Sequence, residues 1–268
     1  AARTGELRLG VYADIPPFVS SRPNGDLEGY AIDISGLIAE EISTYLGRPV
    51  KVVAQTSTDP KALFRQVHTG EVDLLCGSQF TWEREMFVDF SIPFALSGIR
   101  LLRRDDGIDG SPDSLRGKRI GVVAGSLGEA TVKAMQPAAV PIAQPSLAAG
   151  VAAVRAGRLD AMAGDTLLLA SAALAAGFTQ ASLVPQVPYN RFAVGCAMPE
   201  NNSTLRNLVN LALARMMQGY INGSERQRQI VNRWLGPGSA LGLPEETIKL
   251  YFSSVLLNHE SLNVSESP

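Results

Sequence analysis

The sequence predicts an α/β protein built of two open, mostly parallel sheets flanked by helices. Three observations carry this. The alternation of strand and helical patterns runs once through 7–76 and again through 119–184. Strands that alternate with helices form parallel sheets with right-handed crossovers. Two extended apolar stretches, about 95–103 and about 189–198, bracket the second copy, so the chain crosses from one unit to the other and back.

Taken in order, 7–11 reads as a strand, broken by Pro16-Pro17-Phe18, and Pro23-Asn24-Gly25-Asp26 is a turn signal. Residues 31–46 carry helical periodicity, with Ile32, Ile34, Leu37, Ile38, Ile42 and Leu46 on one side. Residues 50–54 form a strand. Asp59 caps a helix that has Pro60 at its first position and runs to about 69. An apolar run at 72–76 ends at Gly77, and a second run spans 87–94. In the second copy, 119–123 is a strand and Gly125-Ser126 opens a helix to about 135. Residues 147–156 are helical, 159–163 a strand, 165–175 a helix and 181–184 a strand. Leu205, Leu208, Ala212 and Met216 stripe a further helix, which Asn201-Asn202-Ser203-Thr204 caps, and 221–234 continues as another.

Composition narrows the function. The 268 residues are 46% hydrophobic and 19% charged, which is a globular balance. A net charge of −2 without a basic stripe argues against nucleic acid. No apolar run reaches the roughly 18 residues that span a bilayer. The opening Ala1-Ala2-Arg3-Thr4-Gly5 has no signal-peptide core; a mature form after signal removal and a plain cytoplasmic start both fit it. His68 and His259 are far apart with no cysteine nearby, which argues against a zinc site or a histidine-based triad. No metal or cofactor is expected. Cys76 and Cys196 each lie in a strand-like run, where two plain apolar residues and a disulfide both fit.

Ligands of open α/β sheets bind beyond the carboxyl ends of the strands. That places the candidate site on loops 12–18, 76–84, 124–128 and 164–165. Thr81 caps a short turn carrying Arg84. An arginine just beyond a strand end is a two-pronged receptor for a carboxylate, though a surface arginine fits the same local sequence. Gly125-Ser126-Leu127-Gly128-Glu129 opens a helix whose amides attract an anion, while the S-x-x-E spacing of Ser126 and Glu129 is equally a capping box. Asp165 is a helix cap or an acceptor for a ligand ammonium. One anion receptor and one cation receptor suit a zwitterion. Tyr12, Phe18 and Trp82 are aromatics near strand ends; packing explains Phe18 and Trp82 best, and Tyr12 has the better claim to a ligand. The absence of G-x-x-x-x-G-K-[ST], G-x-S-x-G and H-E-x-x-H patterns, and of a nucleophile–base pair, favours binding over catalysis.

Six pieces in order then resemble a known family: LRLGVYADIPPF, DLEGYAIDI, GEVDLLCGSQFTWEREMFVDFSIPF, LRGKRIGVVAGSLGEA, AGRLDAMAGD and a helix ending in RWLG. Across about 6–236 the chain is similar to the periplasmic solute-binding proteins of polar amino-acid ABC transporters, relatives of the ligand-binding cores of ionotropic glutamate receptors. The resemblance implies the two-lobed, type II periplasmic-binding-protein fold with two hinge crossings. Lobe 1 is then 1–96 with 193–236, lobe 2 is 97–192, and 237–268 is a C-terminal extension with one helix. It implies that Arg84, helped by Thr81, Gly77 and Gln79 nearby, grips a ligand carboxylate. Ser126 and the amides at Leu127 hold the same group from lobe 2, Asp165 takes the ammonium, and Tyr12 and Phe18 line the site. Gln79 stands where the family commonly has a small hydroxyl residue, and Leu127 where it has threonine. Tyr12 stands where binders of basic amino acids often have an acid, which disfavours lysine and arginine, and Ile15 replaces a frequent aromatic.

The implied function is the binding component of an importer. Its partners are a small amino acid or related carboxylate and a membrane permease, with no nucleic acid; it is expected to be a periplasmic or surface-anchored monomer. A Cys76–Cys196 disulfide suits that compartment. The alternatives are a cyclohexadienyl-dehydratase-like enzyme with Asp165 as its acid, and the sensor module of a receptor. Residues 243–257 read as an added amphipathic helix with Ile248, Tyr251, Phe252, Val255 and Leu256 on its apolar side, packed on a lobe or against another subunit.

Overall fold

A computed structural model describes residues 3–12, 15–57 and 59–259. The chain forms two compact units, Ala1–Ala95 with Ala193–Pro268 and, between them in sequence, Leu96–Phe192.

The first unit opens with β1 (Glu6–Tyr12), whose Leu7, Leu9 and Val11 are buried. A short hairpin follows, β2 (Ser20–Ser21) antiparallel to β3 (Leu27–Glu28). The helix α1 (Tyr30–Leu46) buries Ile34, Ile38 and Ile42 at one-turn spacing. It stops at Gly47, whose φ of 63° is the left-handed cap that glycine adopts freely. Then β4 (Lys51–Ser57) lies parallel to β1, with Glu6 opposite Lys51 and Tyr12 opposite Ser57. Asp59 caps α2 (Pro60–His68) by accepting from the Lys61 amide at 2.9 Å, and α2 buries Leu63 and Val67.

The run expected at 72–76 is displaced. Residues 72–74 touch β1 through one parallel bridge, Leu9 to Leu74, and the ladder proper is β5 (Leu75–Gln79). Gly77 therefore lies inside the strand instead of ending it. Across the antiparallel partner strand, Cys76 faces Cys196 and Ser78 faces Gly195, so Gly77 is the extra residue of a bulge. Its φ of 86° requires glycine there. After α3 (Trp82–Glu85), only the short β6 (Asp89–Phe90) forms within the second expected run.

β7 (Ala95–Arg103) leads into the second unit, where a turn of helix, α4 (Pro112–Leu115), precedes β8 (Arg119–Val123). Next come α5 (Leu127–Met135), β9 (Val140–Gln144), α6 (Leu147–Arg155), β10 (Ala161–Asp165), α7 (Thr166–Ala175) and β11 (Leu183–Val184). β10, β8 and β9 are parallel neighbours, and β7 runs antiparallel to β10. The sequence does not announce β9. It is an edge strand, largely exposed, and contains Pro141, which a central strand would not tolerate. The strand expected at 181–184 shrinks to two residues, antiparallel to β7. Leu101, Ile120, Val122, Val132, Ala161 and Ala163 form the core of this unit.

The chain returns to the first unit through β12 (Arg191–Met198), which pairs antiparallel with β5 and β6. Asn202 caps α8 (Ser203–Ile221), accepting from the Leu205 amide. Its buried face is Val209, Ala212, Leu213, Met216, Met217 and Tyr220, so Leu205 and Leu208 sit on the margin of the expected stripe. α9 (Glu225–Trp234) and α10 (Glu245–His259) complete the described chain. α10 packs on α8: Ile248, Phe252, Val255 and Leu256 are buried, and the Phe252 ring meets Tyr220 edge-on at 5.5 Å. Arg228 of α9 clasps both carboxylate oxygens of Glu245 at 2.8 and 2.7 Å. The extension is part of the first unit.

Candidate ligand-binding site

In the first unit, Thr81 has extended backbone and its hydroxyl oxygen accepts from the Arg84 amide at 3.3 Å, which starts α3 and fixes where Arg84 leaves the chain. Among the described residues the guanidinium then makes two contacts. Nη1 donates to the Gln79 carbonyl at 2.7 Å, and the group lies over the Phe64 ring with Cζ 4.5 Å from its centroid. Among the described residues no carboxylate lies within ion-pair distance of it. Elsewhere Arg8, Arg119, Arg206 and Arg228 are each paired with an acid. Burial lowers the Arg84 pKa, and the neighbouring Tyr12 opposes that shift. An arginine remains charged regardless. A charged fork held in place with donors to spare has the chemistry to receive a carboxylate.

Tyr12 ends β1 beside this group. Burial pushes its hydroxyl up to about 12, against the pull of the Arg84 charge and a hydrogen bond with Ser78. The phenol is therefore neutral at physiological pH. Phe18 is 1% exposed, with its ring against Gly77 and edge-on to Phe94. Packing accounts for it. A side chain at Gly77 would strike that ring, so Gly77 supplies backbone shape and room for Phe18. Trp82 is largely exposed and meets Phe80 edge-on. Residues 13 and 14 of the loop 12–18 lie outside the described residues.

In the second unit, Ser126 caps α5 by accepting from the Glu129 amide at 3.2 Å, and Glu129 reaches back to the Gly125 amide at 2.7 Å. The pattern is a capping box shifted by one residue, since the glutamate meets the amide before the cap. Lys133 and that amide hold the Glu129 carboxyl below its usual range. The box leaves the Leu127 and Gly128 amides at the helix start without partners among the described residues. The positive end of a helix dipole lies there. Close packing of Gly128 on the Ala163 carbonyl brings this turn to the end of β10, which carries Asp165.

Asp165 is buried. Its Oδ1 accepts from the Ser97 hydroxyl at 2.8 Å and from the Leu167 and Leu168 amides at 2.9 and 3.3 Å. The cap reading is thus fulfilled. Thr166 adds a second tie by donating to the Gly98 carbonyl. The structure groups Arg84, Thr81, Gln79 and Tyr12 in one unit and Ser126, Leu127 and Asp165 in the other. Phe64 and Ser97 escaped the sequence reading. Phe64 follows the buried Leu63 and reads as ordinary helix core; Ser97 sits in a strand and gives no local sign.

A model of the bacterial extracellular solute-binding proteins, family 3, matches residues 7–237. The chain belongs to this family. Among curated members of the family, the L-arginine-binding protein of Pseudomonas aeruginosa is 28% identical over 232 residues, covering 83% of this chain and 86% of its own. The glutamine-binding protein GlnH of Bacillus subtilis is 26% identical, covering 86% and 81%. Among solved structures, an ancestral amino acid-binding protein described as a precursor of cyclohexadienyl dehydratase superposes with a TM-score of 0.72 at 26% identity, covering 87% of this chain and 96% of that one. An ancestral arginine-binding protein bound to arginine gives 0.70 at 27%, covering 87% and 99%. The family match thus spans both units and stops before α10. Among the described residues no helix is long and apolar enough to cross a membrane.

Proposed function

We propose that the chain is the ligand-binding component of an ABC importer, and that its ligand is a small amino acid or related carboxylate gripped by Arg84. The carrying observation is the half-buried guanidinium, lying over the Phe64 ring and tied to the Gln79 carbonyl, with no acid within ion-pair distance of it among the described residues. The amides of Leu127 and Gly128 are a second carboxylate contact, and Asp165 takes the ammonium. A ligand that binds the closed state of a hinged protein better than the open one favours closure. Delivery then requires a membrane permease, and the family description supports an extracellular or periplasmic setting.

Binding is preferred to catalysis. An acid catalyst must give up a proton, and Asp165 is the evident candidate. Its Oδ1 already accepts three hydrogen bonds from protein donors, an arrangement that suits a cap and a charge receptor better than a proton donor. The test is calorimetric titration of ligand-stripped protein with each standard amino acid and a set of small carboxylates. One tight ligand is expected, and Arg84→Ala should abolish its binding while leaving the unfolding midpoint unchanged. Retained affinity in Arg84→Ala would refute the role given to this residue.

A further inference from the structure

We propose that Phe64 is a positioning residue for the carboxylate receptor: its ring fixes the plane of the Arg84 guanidinium, so that the donors left over face a ligand in one orientation. The inference rests on the reading of Arg84 just given.

A guanidinium at the end of a flexible side chain needs two constraints to be fixed in space. The Phe64 ring, its centroid 4.5 Å from Cζ, limits how the plane can tilt. The Gln79 carbonyl, 2.7 Å from Nη1, fixes rotation within that plane. Both supports are themselves held. Phe64 lies on α2 between the buried Leu63 and Val67, and Asp59 caps that helix. Gln79 ends β5, which is paired with β12.

The chemistry of the support matters as much as its position. An acidic neighbour would hold the guanidinium as firmly, but would occupy its donors and cancel its charge. The face of a ring attracts the cation through its quadrupole and uses none of the N–H groups. Other arginines of this chain show the contrast. Arg233 lies over Trp234 at the same 4.5 Å, yet is bonded to Glu28. Among the described residues Arg100 has no acid in its hydrogen bonds, but spends Nε and Nη2 on the carbonyls of Pro185 and Leu183. Arg84 joins ring support with donors unspent among the described residues.

Two readouts test this. The first needs no ligand: nitrogen-15 NMR of the guanidinium signals, with Arg84 assigned by their loss in Arg84→Lys. In the unaltered protein, rotation of the Arg84 guanidinium should be slow and its terminal nitrogens distinct. In Phe64→Leu, which keeps apolar bulk without a ring face, the signals should average, and Phe64→Tyr should restore them. The second is calorimetry with L-glutamine and L-arginine as probes. Phe64→Leu should weaken whichever probe binds by about tenfold, with the unfolding midpoint held, and Phe64→Tyr should recover most of the loss. Unaveraged signals in Phe64→Leu, or unchanged affinity, would overturn the proposal. If Phe64→Leu lowers the unfolding midpoint, Phe64→Met takes its place with the same two outcomes. Wild-type binding in Arg84→Ala would count against the ligand reading; in that case, and where neither probe binds the unaltered protein, the NMR result alone decides the role of Phe64.

Discussion

Cys76 and Cys196 are joined by a disulfide that ties β5 to β12 across a sequence separation of 120. The loop it closes contains the whole of the second unit. A cross-link over so long a loop removes much of the freedom of the unfolded chain. Reduction, or the double change Cys76→Ala with Cys196→Ala, should lower stability by roughly 2–5 kcal/mol. Thermal unfolding with and without reductant measures it. An unchanged midpoint would show that the bridge contributes nothing beyond the strand pairing already present.

The added helix makes an equally direct prediction. Phe252 is fully buried, between the Tyr220 ring at 5.5 Å and the Tyr251 ring at 6.0 Å. Truncation leaves a cavity that the surrounding helices fill only in part. Phe252→Ala should therefore cost about 3–5 kcal/mol, read as a lower midpoint in denaturant. A helix merely resting on the surface would lose far less.

How much of this was legible follows from where each signal resides. The span 119–123 and the cap at Ser126 were readable to the residue, because alternation and capping chemistry are local. Thr81 and Arg84 were readable for the same reason. The strand β9 was not, since an exposed edge strand with a proline carries neither alternation nor an apolar run. Gly77 was misplaced by two residues of strand because a bulge is a property of the pair, visible only once Cys196 and Gly195 lie opposite. The contact of Arg84 with the Phe64 ring joins two helices that share no sequence pattern. The fold was thus legible through its local rules, and the support of the site was hidden in tertiary contacts.

Asp160 gives the second unit a defined response to acid. Its carboxylate takes Nε and Nη2 of Arg119 at 3.2 and 3.0 Å and the Arg119 amide at 2.8 Å. The hydrogen bond from the Arg119 side chain, opposed in part by burial, lowers its pKa. The unfolded chain, with an ordinary value of about 3.9, takes up the proton first as pH falls. The contribution is complete above about pH 4 and is lost as pH drops through the lower folded value. Unfolding midpoints measured from pH 6 to pH 2 should fall over that window. Asp160→Asn should flatten this part of the slope, and an identical slope in the variant would assign the acid response to other groups.

Asp165 is where two readings of one carboxylate separate. As a cap it needs an oxygen; as an ammonium receptor it needs a charge. Asparagine supplies the oxygen and is as good a cap as aspartate, whereas alanine supplies neither. Asp165→Ala should cost about 1–2 kcal/mol, because the Leu167 and Leu168 amides and the Ser97 hydroxyl all lose their acceptor. Asp165→Asn should unfold close to the unaltered protein. In calorimetry, however, Asp165→Asn should weaken amino acids strongly and simple carboxylates much less, since only the former carry a cation. Equal losses for both ligand classes would remove the ammonium role and leave Asp165 as a helix cap alone.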